Sequence, residues 1–173
     1  MDSPDEGNAR SAIFDFVVHN PVAVLSTISG KVPSGAVIYV SMRTDLTCYF
    51  ETRDDTQKAR DLTEHPAVAV TFFNQATLET VQMQALASVV SDATDIQDIR
   101  ASLRSITGKE MANRVESGPV GDASKIGERL RIPPVGQLEK GAYVYIKLVP
   151  HRARYRRYDA QGRPGGTFTE YSL

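Results

Sequence analysis

The segment 46–62 changes from a strand pattern to a helix pattern, and this change constrains the fold more than any other feature of the chain. Leu46, Cys48 and Phe50 alternate with more polar residues, which is the period of a β-strand. The acidic residues that follow suit a turn and a helix N-terminus, and Pro66 ends the short helix predicted there. We therefore expect a strand that leads almost directly into a helix.

Thr56, Gln57 and Lys58 fall in the first turn of this predicted helix. The backbone N–H groups of a first helical turn lack intrahelical partners, and together with an ammonium group they favour an anion such as a phosphate. The alternative is a capped surface helix with a solvated lysine, because one lysine in a first turn is common. The segment by itself leaves both interpretations open.

Arg60 is expected on another side of the same helix. Positions 58 and 60 project about 200° apart at 3.6 residues per turn, and Ala59 and Leu62 mark the buried side. We therefore expect Arg60 to lie toward solvent or to pair with a carboxylate such as Glu64, four residues later.

Composition excludes several classes of protein. The chain has 173 residues, enough for one domain with a sizeable core, and its formal charge of −1 argues against a dedicated nucleic-acid binder. Its one cysteine, Cys48, excludes an internal disulfide, and no metal-ligand spacing is present. No apolar run approaches the roughly 20 residues of a membrane span, and the polar N-terminus is unlike a signal peptide. We therefore expect a cytoplasmic protein.

Apolar alternation recurs at short intervals along the chain. The predicted strands are 22–28, 32–40, 46–52, 67–73, 80–90, 143–149 and 151–158. The predicted helices are 10–19, the short one after Asp55, a seam over 96–106, and a second helix after Gly108. Short connections favour an antiparallel meander that closes or nearly closes, so we predict a mainly β fold, a small barrel with helices outside.

This layout predicts one domain over residues 10–158, with tails at 1–9 and 159–173. The segment 118–141 is rich in glycine and proline and is too long for an ordinary connection, so a functional loop is expected there.

The ordered motifs resemble the FMN-binding split-barrel family typified by pyridoxamine 5′-phosphate oxidase. The matching stretches are 22–27, 36–39, Thr52 with 56–59, 64–70, 80–87, 133–141 and 148–152. Among them, Thr-Gln-Lys-Ala at 56–59 resembles the family's Ser-Arg-Lys phosphate turn. The order and spacing of the motifs carry the resemblance, and they imply an antiparallel six- to seven-stranded split β-barrel with peripheral helices.

The resemblance also implies a homodimer that holds flavin mononucleotide (FMN) in a groove between the subunits. Lys58 would hold the phosphate with Thr56 and Gln57 beside it, and Thr52 would donate to the phosphate or the ribityl chain. Thr80 would face the isoalloxazine ring from another strand. The ring would lie along the backbone of Val37, Ile38, Tyr39, Val40 and Ser41.

The phosphate site departs from the family's pattern. The family often has arginine at two positions where this chain does not. One is Gln57, and the other is Ala36 at the start of the second-strand motif. One lysine neutralises a dianionic phosphate incompletely. Arg53, Arg60 or an arginine of a partner subunit could compensate.

The substrate side departs further. Ser41 stands where a substrate-phosphate lysine is expected, and the C-terminal Arg-x-His stretch is absent, since Val149 lies two residues before His151. Vitamin B6 oxidation is therefore not the predicted activity, and no catalytic residue is assigned. The arginine-rich strand 151–157 suits either the solvent side of an edge strand or a ligand contact across the dimer groove.

Two functions of different classes follow. The first is a flavoprotein oxidoreductase that acts on a small molecule through FMN. The alternative is a non-catalytic or sensing protein on the same fold that binds flavin, haem or the deazaflavin F420.

Overall fold

Strands form the framework of the structure, a computed structural model that describes residues 4–117, 142–158 and 169–172. The helices are α1 (Pro4–His19), α2 (Gln57–Glu64) and α3 (Ala93–Ser117). The strands are β1 (Val22–Ser29), β2 (Val32–Tyr39), β3 (Ser41–Met42), β4 (Cys48–Arg53), β5 (Ala67–Asn74), β6 (Glu79–Val89), β7 (Tyr143–Arg157) and β8 (Thr169–Ser172).

The strands form one antiparallel sheet in the order β2-β1-β5-β6-β7-β4-β3, and β8 pairs with β7. The sheet curls into a half-barrel with the helices around it, so the predicted mainly β split barrel is confirmed. Because β2 stands at one end of this order, its outer backbone edge is not paired with another described strand.

The strand β7 differs from the prediction, which divided it in two at Pro150. It is continuous, and its register against β6 shifts between Gln84 and Ala85, which pair with Arg152 and Pro150. Such a bulge bends a strand without ending it. As a result, the first part of β7 pairs with β4 and the second part pairs with β8.

Other boundaries also differ from the prediction. The helix α1 begins at Pro4 rather than at residue 10, and α3 is one helix through Gly108, because a glycine inside a helix costs only about 1 kcal/mol. The strand β4 begins at Cys48, while Leu46 lies in the preceding turn with a φ of 67°. The predicted loop 118–141 lies outside the described residues.

Two buried clusters position the elements that matter for the site. The main core lies inside the curled sheet, where α1 and α2 pack, and Cys48 is one of its small buried residues, as expected. The second cluster lies on the other side of β4 and β7. It contains Tyr49, Ile99, Leu103 and Tyr145, so it fixes α3 against these two strands.

Candidate functional site

A cavity of about 750 Å³ opens beside β2, β4 and β7, between the sheet, the start of α2 and α3. Its lining residues are Val37, Ile38, Tyr39, Glu51, Lys58, Arg100, Leu103, Arg104, Thr107, Gly108, Tyr143 and Tyr145. Four of the residues proposed from the sequence are therefore brought together here: the three from β2 and Lys58.

Lys58 reaches the cavity because the predicted strand-turn-helix forms. Thr56 is the N-cap of α2: the Ala59 N–H donates to its hydroxyl oxygen at 3.2 Å, and the hydroxyl donates to the Arg53 carbonyl at 2.8 Å. The Thr52 hydroxyl lies 3.2 Å from that of Thr56. These contacts fix the turn, so the helix begins one residue before Lys58.

The side chain of Lys58 is half-buried, and burial lowers the pKa of its ammonium group below the ordinary value. Its Nζ lies 5.9 Å from the centre of the Phe50 ring. The salt bridges found among the described residues, such as Arg43–Asp95 and Arg53–Asp55, do not involve Lys58, so no described carboxylate pairs with it. A partly desolvated cation that faces a cavity without a counter-ion is the electrostatic character expected of an anion site.

The lining carries more positive than negative charge. Its described cationic side chains are Lys58, Arg100 and Arg104, and its carboxylate is Glu51. The whole chain has a formal charge of −1, so this local excess does not follow from overall composition. A concave surface of one sign raises the local concentration of ions of the other sign.

Sequence reasoning missed Arg100 and Arg104. They lie one turn apart on α3, next to the buried Ile99 and Leu103. Their spacing was visible, but arginines beside an apolar seam are typical of any solvated helix face. Their place in the cavity depends on how α3 packs against the sheet.

Tyrosines supply the other part of the lining. Glu51 and Tyr145 are direct partners across β4 and β7, and burial together with a hydrogen bond to Glu51 raises the pKa of Tyr145 to about 12. Tyr143 is 62% exposed and Val37 is 67% exposed. Exposed apolar and aromatic surface beside fixed polar groups is typical of small-molecule sites.

The remaining residues expected around the phosphate lie outside the cavity lining. Thr52 is buried, and Thr56 caps the helix, as described above. Gln57 donates through Nε2 to Asp61 at 2.7 Å and to Ser29 at 3.0 Å. These side chains hold the start of α2.

The three other residues expected near the ring are placed differently from Val37, Ile38 and Tyr39. The side chain of Val40 is buried in the main core. The Ser41 hydroxyl lies 2.6 Å from that of Ser102 on α3. Thr80 lies on β6, opposite Phe73 and Arg156, and does not line the cavity.

Arg60 is exposed, as expected, but it has no pairing with Glu64 among the described contacts. It donates to the Asp55 carbonyl at 2.8 Å and to Gln57 Oε1 at 3.0 Å. The other candidate compensating cation, Arg53, pairs with Asp55. Both arginines are therefore occupied at the turn, and the additional cations of the cavity come from α3.

Within the described ranges, no helix combines the length and the hydropathy that a membrane-spanning helix needs. No group of three or more potential metal-ligating side chains occurs in the same ranges.

Solved structures with the same fold include proteins with different ligands. General stress protein 26 of Bacillus anthracis aligns with a TM-score of 0.57 and 18% identity, covering 95% of this chain and 99% of that one. An FMN-binding protein related to pyridoxamine 5′-phosphate oxidase, from Nostoc punctiforme, aligns with a TM-score of 0.51 and 15% identity over 100% and 98% of the chains. A haem-binding protein of Mycobacterium smegmatis aligns with a TM-score of 0.59 and 12% identity, covering 99% of this chain and 59% of that one. At these identities the likeness shows the fold alone.

Among curated proteins, none matches this chain significantly. The sequence model of the pyridoxamine 5′-phosphate oxidase family matches residues 9–131, which is more than half of the chain. That match covers the strand-turn-helix with Lys58, the strands of the half-barrel up to β6, and α3. The chain therefore belongs to the pyridoxamine 5′-phosphate oxidase family.

Proposed function

We propose that this protein binds FMN in the cavity, with the phosphate at Lys58, and acts as an oxidoreductase on a small molecule. The observation that carries the proposal is the half-buried ammonium of Lys58, which faces the cavity from the first turn of α2 without a described carboxylate partner. A phosphate there gains the charge of Lys58 and the free N–H groups of the helix start. FMN, when bound, supplies the electron transfer.

The strand β2 is suited to orient the ring. Its outer edge is not paired with a described strand, so the backbone N–H and C=O groups of alternate residues along 37–39, those turned away from β1, are available to the polar edge of an isoalloxazine. Backbone groups of a strand are fixed in direction, which is what a protein contributes to cofactor chemistry.

The arginines of α3 support an anionic ligand. With Gln57 in place of an arginine, Lys58 alone neutralises a phosphate dianion incompletely, and Arg100 and Arg104 add positive charge to the same cavity. Their role is electrostatic: they raise the affinity of the cavity for anions, whether cofactor or substrate.

A homodimer is part of this proposal. Val24 and Val37 pair across β1 and β2 on the outer face of the sheet, and they are 45% and 67% exposed. Phe73 stands exposed on the same face, from β5. Apolar side chains grouped in this way mark an interaction surface, and twofold dimers are the commonest soluble assembly.

The alternative function is a non-catalytic or sensing role on the same fold, with flavin, F420 or haem as the ligand. It is favoured by the absence of the substrate signature of vitamin B6 oxidation. For haem, the described lining residues include no histidine, cysteine or methionine, so tyrosine is the only one of the usual protein ligands of haem iron that they offer. The set of donors therefore favours an anionic flavin.

The visible spectrum of freshly purified protein tests these functions. Flavin bands that bleach on addition of a reduced nicotinamide support the oxidoreductase, and stable flavin bands support the binding role. A haem Soret band would show that the ligand is haem and not FMN. A colourless protein that takes up no added FMN would overturn the proposal.

A further inference from the structure

Asp61 of α2 is a buried carboxylate that the proposed cofactor contacts do not use. It is 1% exposed, and it accepts from Thr27 Oγ1 at 3.0 Å and from Gln57 Nε2 at 2.7 Å. The Ser29 hydroxyl hydrogen-bonds to it as well. A buried charge is costly unless hydrogen bonds satisfy it, so these groups form a satisfied network between β1 and the first turn of α2.

Gln57 is the centre of this network. Its Nε2 also donates to Ser29 at 3.0 Å, and its Oε1 accepts from Arg60 at 3.0 Å. Both ends of the amide are therefore occupied beside the helix start, outside the lining of the cavity. Consecutive side chains of a helix project about 100° apart, so holding Gln57 toward β1 fixes the direction of Lys58.

We propose that Asp61 is a positioning residue of the anion site: through Gln57 it holds the first turn of α2 against β1, so that Lys58 projects into the cavity. In this arrangement Gln57 acts on the phosphate through the position of Lys58 and is not itself a ligand. The inference rests on the proposed FMN site, because it explains how that site is held.

The test compares FMN with riboflavin, which has the same ring and ribityl chain but no phosphate. The ratio of the riboflavin and FMN dissociation constants isolates the phosphate contribution, whereas a general loss of packing weakens both ligands alike. The variants are Asp61→Asn, which removes the charge at constant volume, and Gln57→Leu, which removes the amide. Thr63→Ala is the matched control, because Thr63 is exposed on the same helix and, among the described contacts, its side chain bonds only to the Ala59 carbonyl.

We expect Asp61→Asn and Gln57→Leu each to lower the ratio by about three- to tenfold, the effect of one hydrogen-bonded contact, while Thr63→Ala leaves it within about twofold. An unchanged ratio in Asp61→Asn would overturn the inference. A loss in Gln57→Leu alone would also overturn it, since Gln57 would then contact the phosphate directly.

If Asp61→Asn does not fold, Thr27→Val removes one donor to the same carboxylate from β1, and the ratio is expected to fall in the same direction. An unchanged ratio in that variant would contradict the inference. The wild-type chain distinguishes a failure of the proposed phosphate site from a failure of this inference. A wild-type ratio near one, or no flavin binding, would overturn the phosphate site and this inference with it. A large wild-type ratio that the variants preserve would overturn this inference alone.

Discussion

The ammonium nitrogen of Lys58 lies 5.9 Å from the centre of the Phe50 ring, on the adjoining strand β4. Phe50 is fully buried, so the ring gives the stem of Lys58 a rigid apolar support beneath its charged end. An ammonium at this distance from a ring gains some cation–π attraction, but no described carboxylate neutralises it. The contact with Phe50 therefore leaves the positive charge of Lys58 facing the cavity, where it can attract an anion.

The lowered pKa of Lys58 predicts how flavin binding depends on pH. Phosphate binding requires the protonated ammonium, so the preference for FMN over riboflavin should be greatest where Lys58 is protonated and the phosphate is ionised. It should fall as the pH rises through the lowered pKa of Lys58, below the range of an ordinary lysine. Titration of the ring cancels, because both ligands share it. Fluorescence titrations with both flavins across this range check the prediction, and a ratio that stays constant to the ordinary lysine range contradicts it.

The lowered pKa of Asp61 predicts how the free energy of unfolding changes in acid. The hydrogen bond from Gln57 is the largest influence that lowers the pKa of its carboxyl group below the ordinary value. The stabilisation from the ionised form is therefore present above about pH 4 and is lost as the pH falls through the folded-state pKa. Urea unfolding of wild type and Asp61→Asn should show a stability difference that shrinks in acid. A difference that is equal at neutral and acid pH would mean that the Asp61 charge does not stabilise the fold.

The burial of Leu103 predicts how strongly α3 is held against β4 and β7. Its side chain is buried in the cluster with Tyr49 and Tyr145, so Leu103→Ala should lower the free energy of unfolding by about 2–5 kcal/mol. Ser105 is exposed on the same helix, and Ser105→Ala should change it by less than about 0.5 kcal/mol. Equal small effects in the two variants would show that α3 is not held by this cluster.

The proposed dimer predicts a sedimentation mass of twice the 19.0 kDa chain at micromolar concentration. Val24→Asp should shift the protein toward monomer, because it places a charge in the apolar outer face of the sheet. Val18 has similar exposure but lies on α1, so Val18→Asp is the control expected to leave the mass unchanged. A wild-type mass of one chain would refute the dimer.

The elements that sequence analysis predicted well depend on local chemistry. The change of period at 46–62, the N-cap at Thr56 and the place of Lys58 in a first turn are all set within a few residues of chain. The strand alternation likewise gave the half-barrel, because short connections leave few topologies. The bulge in β7 was not predictable, because continuity through Pro150 depends on the pairing with β6.

The charges of the cavity were only partly predictable for the same reason. Arg100 and Arg104 line it because Ile99 and Leu103 pack on tyrosines of two distant strands, a tertiary contact without a local signal. The direction of the Gln57 side chain, by contrast, did have a local signal in the sequence. Asp61 lies four residues later, and glutamine and aspartate at that spacing pair on a helix surface.

An FMN titration of three proteins, wild type, Lys58→Ala and Arg60→Ala, tests whether the phosphate binds at Lys58. Lys58 and Arg60 lie on the same short helix, but of these two residues only Lys58 lines the cavity. Loss of a charge-assisted bond at Lys58 should weaken FMN binding about ten- to a hundredfold, while Arg60→Ala should stay within about threefold. Unchanged affinity in Lys58→Ala, or an equal loss in Arg60→Ala, would show that the phosphate does not bind at Lys58.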